Sequence, residues 1–179
     1  MALLFYLKHL HDLLVNKKGY YLYSMKTLIM MSAFPASGKS TWAKRFKETH
    51  DNVVILNSDE IRLELTNGNY HDQSKQKEVW ELFEKRIHEY GQIDNVTLIL
   101  DALNDVNEVR LKYLSTTPEF DRKVLVMFNT SPERSKMLNL QRPEDCRVPD
   151  FIMDMLIEKF EEPSEEVEKY LDEVRYIYW

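Results

Sequence analysis

Residues 33–41 read Ala-Phe-Pro-Ala-Ser-Gly-Lys-Ser-Thr, directly after the apolar run 27–32 (TLIMMS) and directly before a helical pattern. No other stretch narrows the possible folds as far. A Gly-Lys-Ser-Thr tetrad between a buried strand and a helix sets backbone N–H groups at a helix N-terminus, where unpaired donors and the helix dipole hold phosphate. Gly38 lets the backbone approach closely, Lys39 neutralises charge on the β- and γ-phosphates, the Ser40 hydroxyl suits magnesium, and Thr41 suits an α-phosphate contact. Pro35, Ala36 and Ser37 complete the loop. Ala33 stands where the usual motif has its first glycine, and its methyl group constrains the turn.

The rest of the chain continues the alternation. Residues 52–56 (NVVIL), 96–100 (VTLIL), 123–128 (KVLVMF) and 174–178 read as strands. Helical spacing covers 40–49, 73–90, 106–114 and 132–139, with Asp72 as N-cap and Gly91 as stop of the longest helix. Pro149 then opens a helix with Ile152, Met155, Leu156 and Phe160 on one face. The pattern predicts an α/β P-loop NTPase fold, adenylate-kinase-like, with a central, mostly parallel sheet flanked by helices and a helical lid. At 179 residues the chain is the size of one domain, read as 25–179 with an N-terminal extension over 1–24. The apolar stretch 1–15 reads as an amphipathic helix. Lys8, His9, His11 and Asp12 interrupt it, no small-residue cleavage site follows, and it is too short to span a bilayer. The single cysteine, Cys146, excludes an intramolecular disulfide and a cysteine-based zinc cage, so a cytoplasmic setting is expected. A net charge of −6 argues against coating nucleic acid by phosphate neutralisation alone, while leaving room for a local basic groove. No membrane and no protein partner is implied.

Further candidates follow from position. Asp59, just past the second strand, projects into the crevice where open α/β sheets place ligands and suits a general base for an attacking hydroxyl. Arg62, one turn on, suits a phosphate of the acceptor through its bidentate fork. The same residues equally suit a helix N-cap at Ser58 or Asp59 and an Asp59–Arg62 surface pair. Asp101 ends the third strand, where a carboxylate holds magnesium or its water shell, or alternatively caps a turn. Asn104 is in reach of an acceptor or nucleotide, and Arg110 on the next helix reads as a solvated surface residue. Arg142 and Arg147 lie in a polar connection suited to a lid that delivers cationic charge to a transferring phosphoryl group. Cys146 between them has no histidine partner nearby in sequence and reads as a bystander.

Together AFPASGKST, NSDEIR, LILDALN, NLQRPEDCRVP and EKFEEPSEEV resemble, in consistent order over residues 27–178, the polynucleotide 5′-hydroxyl kinase branch of P-loop kinases. That resemblance implies transfer of the γ-phosphate of ATP, with Mg²⁺, to the 5′-hydroxyl of DNA or RNA. It matches Lys39 and Ser40 to the family's phosphate-loop residues, Asp59 and Arg62 to its base and nearby arginine, and Arg142, with Arg147, to its lid. Two departures are Ala33 and Leu103, which stands where the family often has threonine before asparagine. The chain is also similar to adenylylsulfate, shikimate and zeta-toxin-like kinases in its loop and second-strand aspartate, which keeps a small-molecule acceptor open. A nucleotide-binding module without turnover is the third reading.

Overall fold

The computed structural model describes residues 25–69 and 72–178. Five strands, β1 (Thr27–Ser32), β2 (Val53–Asn57), β3 (Thr97–Asp101), β4 (Arg122–Asn129) and β5 (Glu173–Tyr178), form one sheet in the order β2-β3-β1-β4-β5. Every pairing is parallel. Around it run α1 (Lys39–Thr49), α2 (Ser58–Leu65), α3 (Gln76–Tyr90), α4 (Asn107–Ser115), α5 (Pro132–Leu140), α6 (Asp150–Lys159) and the short α7 (Glu165–Glu168).

Strand burial follows from this order. Central β1 and its neighbour β3 are buried at every position, as their unbroken apolar runs require, whereas β2 and β5 at the edges are buried at only a few. Alternate residues feed two cores. Leu28, Met30, Leu98 and Leu100 pack against Val79, Phe83 and Ile87, which α3 presents at four-residue spacing. Ile29, Met31, Ile99 and Val126 pack on the other face against Trp42, Ala43 and Phe46 of α1. The Trp42 and Phe46 rings, one turn apart, lie 5.2 Å from centroid to centroid.

Several local expectations are corrected. Asp72 does not cap α3; its Oδ1 accepts from the Ser74 N–H at 2.8 Å, closing a turn, and the helix starts after Lys75. On α6 the fully buried residue is Met153, while Met155 of the expected face is exposed. The N-terminal amphipathic helix expected over 1–15 lies outside the described residues. No helix among the described residues is long and apolar enough to cross a membrane.

Candidate active site

The loop between β1 and α1 begins with Ala33, buried in the α1-side core, so its methyl group is packed rather than strained. The unusual backbone sits further along. Ala36 has φ 61° and Gly38 φ 91°, both in the left-handed region, where a methyl group costs about 1–2 kcal/mol and glycine nothing. No side chain caps α1, so its first N–H groups stay directed at the loop mouth. The buried Ser37 hydroxyl likewise has no hydrogen-bond partner among the described residues. An uncapped helix start and an orphaned hydroxyl in one loop are donors arranged for an anion.

Lys39 is buried, its Nζ donating to the carbonyls of Ala33 and Phe34 at 3.4 Å each. Burial pushes its pKa below the ordinary 10.5; the charges of Asp101 and then Asp59 act the other way, and that of Arg142 adds to the lowering. Three residues from separate parts of the chain thus converge electrostatically on one ammonium.

Asp101 owes its setting to the register. It lies opposite Asn57 in the β2–β3 pairing, and Asn57 Nδ2 donates to Asp101 Oδ2 at 2.7 Å. The Asn57 side-chain oxygen meanwhile accepts from the N–H groups of Asp59 and Glu60, so Asn57, not Ser58 or Asp59, is the N-cap of α2. Asp59 is exposed at the head of that helix. Arg62 forms no surface pair with it; the guanidinium is buried and its Nη1 donates to Gln73 at 3.1 Å and Gln76 at 2.6 Å. Asp101 Oδ1 and the exposed Ser40 hydroxyl remain to serve a magnesium ion carried in with phosphates. Among the described residues no group of three or more His, Cys, Asp or Glu side chains could hold a metal ion by itself.

A cleft of about 460 Å³ opens over the loop from Ala36 to Thr41 and is also lined by Arg45, Thr130, Arg134, Leu138 and Arg142. Arg45, Arg134 and Thr130 were not singled out from the sequence. Arg134, Leu138 and Arg142 recur every four residues, a one-face spacing that was legible but unused. Thr130, like Ser37, has a buried hydroxyl without a partner. Ser135 fastens α5 to the loop by donating to the Pro35 carbonyl. Arg147 is exposed and does not line the cleft; its Nε donates to the Arg142 carbonyl at 2.8 Å. Asn139 grips Val148 through both its N–H and its carbonyl, drawing the connection back onto α5.

Asn104 is buried, with its Nδ2 donating to the Met31 carbonyl at 2.9 Å, which braces β1, while its Oδ1 has no hydrogen-bond partner among the described residues. One further reading changes. Arg110, expected on the surface, is fully buried. Its Nε donates to the Asn104 carbonyl at 2.9 Å, and Nη2 reaches Ser32 Oγ at 3.0 Å and the Glu161 carbonyl at 2.6 Å. Sequence spacing hid this because most of the acceptors are backbone carbonyls, and two of the segments that supply acceptors are distant in the chain.

Residues 26–169 match the family described as chromatin associated protein KTI12. The chain belongs to the KTI12 family. Among solved structures, Kti12 of Chaetomium thermophilum in complex with ADP-AlF3 aligns with a TM-score of 0.64 at 14% identity, covering 85% of this chain and 89% of that one. A chain of the Pnkp1/Rnl/Hen1 RNA repair complex aligns with a TM-score of 0.64 at 22% identity, over 80% of this chain. This KTI12-family chain spans only 46% of that one. A component of the PezAT toxin–antitoxin system of Streptococcus pneumoniae gives 0.64 at 20% identity, over 96% and 74% of the two chains. Curated protein sequences offer no match. These likenesses establish a P-loop kinase-like fold, and the resemblance to polynucleotide 5′-hydroxyl kinases holds at that level, the family being KTI12.

Proposed function

We propose that this KTI12-family chain binds a magnesium–nucleoside triphosphate, taken to be ATP, and transfers its γ-phosphate to a hydroxyl acceptor, the 5′-end of a polynucleotide being the first candidate. The observation that carries the reading is the cleft over the phosphate loop, where the uncapped start of α1, the partnerless Ser37 hydroxyl, buried Lys39 and Arg142 line one space. Phosphate-binding groups and a lid cation, two of the parts phosphoryl transfer needs, line the same cleft, while Asp101 ends β3 and Asp59 follows β2 in the same sheet. The ADP-AlF3 held by the Chaetomium thermophilum neighbour and the RNA repair complex of another support a nucleotide in this cleft and a nucleic-acid acceptor beside it.

In this reading Lys39 and the uncapped N–H groups of α1 hold the β- and γ-phosphates and follow their charge into the transition state. Ser40 and Asp101 hold magnesium, which supplies neutralisation across the phosphate oxygens. Asp59 accepts the proton of the attacking hydroxyl, and Arg142 closes over the transferring group while excluding water. Arg62 fixes the acceptor through guanidinium nitrogens not engaged by Gln73 and Gln76.

A second reading, a nucleotide switch without an organic acceptor, draws on charge. The cations gather on the nucleotide side, whereas exposed Asp59 and Glu60 make the start of α2 acidic, a poor surface for a polyanion. Transfer of labelled γ-phosphate from ATP to a 5′-hydroxyl oligonucleotide separates the two. Label that both Lys39→Ala and Asp59→Ala abolish, with nucleotide binding retained in Asp59→Ala, is the expected result; nucleotide binding without label on any hydroxyl favours the switch.

A further inference from the structure

A second network lies behind the phosphate loop. Phe34, whose carbonyl holds Lys39, meets the Phe160 ring edge-on, with centroids 4.8 Å apart and planes at 61°. Phe160 is the residue on which α6 ends, the point where the lid rejoins the body. Behind it stands Arg110, its guanidinium 5.6 Å from the Phe160 centroid.

Arg110 also joins the segments on either side of that ring. It grips Ser32, the residue before the loop, the Asn104 and Asp105 carbonyls after β3, and the Glu161 carbonyl after the lid. Glu161 N–H returns a bond to the Asp105 carbonyl at 2.9 Å, and Glu161 Oε2 accepts from Asn107 N–H at 2.7 Å. The downstream root of the lid is therefore fixed to the same groups that fix the upstream root of the loop. Phe160 carries this network to the loop itself through the Phe34 ring.

We propose that Phe160, clamped from behind by Arg110, is a positioning residue that couples the lid carrying Arg142 to the phosphate-loop carbonyls holding Lys39. The proposal rests on the nucleotide-binding reading of the cleft and adds a direction to it. Phosphates that draw Lys39 away from the Ala33 and Phe34 carbonyls release Phe34. Phe34 then shifts against Phe160, and the end of α6 follows. Packed aromatic rings suit such a role because their contact is directional and is lost on a small displacement.

Cys146, the only cysteine of the chain, sits in the lid turn and serves as a reporter. In the full-length wild-type chain, Mg·ADP is expected to change the rate at which a thiol reagent modifies Cys146. Phe160→Leu is expected to weaken ADP affinity about two- to tenfold, the usual range for losing an aromatic pair. It also removes the Cys146 response at saturating ADP. Combining it with Phe34→Leu should weaken binding no further than either change alone, the signature of a shared contact. Phe120→Leu, a core change at the opposite end of β4, controls for lost stability and should leave the Cys146 response intact. Additive losses, a Cys146 rate that ADP leaves unchanged in the wild type, or an unaltered response in Phe160→Leu would each overturn the coupling while leaving the nucleotide site standing. A wild-type chain that binds no ADP would overturn both.

Discussion

Burial opposes the charge of Lys39, and among the described residues its ammonium makes two long hydrogen bonds, both to carbonyls. Such a lysine is uncomfortable until phosphate arrives. Because its pKa in the free protein lies below the ordinary 10.5, the unfolded chain binds the proton more tightly than the folded one at alkaline pH. Its burial therefore costs stability at neutral pH, and that cost fades as pH rises through the folded-state pKa toward 10.5. Bound phosphates work in the opposite sense, raising the pKa, so nucleotide binding takes up a proton in the same window. The dissociation constant of ADP, followed by titration calorimetry across alkaline pH, should rise before free lysine titrates. Lys39→Met should bind weakly with that slope gone, and an unchanged slope in the variant would assign the proton to another group. Lys39, Ser40, Asp59 and Asp101 could be placed from the sequence because their positions follow from neighbours in sequence or from strand ends. Arg110 was misread because Ser32 and the Glu161 carbonyl, which help to bury it, lie more than fifty residues away, a proximity that no local spacing encodes.

Among the elements, Asn57 does two jobs, capping α2 and holding Asp101. The jobs separate by substitution. Asn57→Ala removes both and should lower stability by about 1 kcal/mol for the lost cap alone, read as a shift in urea midpoint. Asn57→Asp restores the cap but sets a carboxylate against Asp101. It should recover much of the midpoint while altering the magnesium dependence of nucleotide binding; equal midpoints for the two variants would remove the cap from the account. Strand positions were readable within a residue or two from continuous apolar runs, since burial on both faces leaves few alternatives. Helix starts were less so. Asp72 and Lys75 are both polar, and which one precedes the first helical bond depends on a turn that the Asp72 side chain closes.

At the scale of the molecule, a chain of net charge −6 concentrates Lys39, Arg45, Arg134 and Arg142 around one cleft. That concentration makes the folded state, and not the unfolded one, the binder of a polyanion. At a hundredfold excess over its dissociation constant, Mg·ADP should stabilise the fold by about 2.7 kcal/mol, raising Tm by roughly 5–10 °C. Rising salt should shrink the effect, as screening weakens the attraction. A Tm indifferent to nucleotide would remove the cleft as its site. The α/β class and the position of the phosphate loop followed from the alternation of runs. The lining of the cleft by α5 did not, because it depends on how a helix late in the chain returns to a loop near its start, fastened there by Ser135.

The order of the strands also divides the site by how freely it can change. The phosphate loop and Asp101 hang from β1 and β3, where each side chain is hemmed in on both faces, while Asn57 and Asp59 hang from β2 at the rim. On the proposed reading, substitutions that retool the acceptor side therefore fall on an edge strand, which is more forgiving than the centre of the sheet. A lineage built on this chain could exchange one acceptor for another while its grip on phosphate stayed as it was.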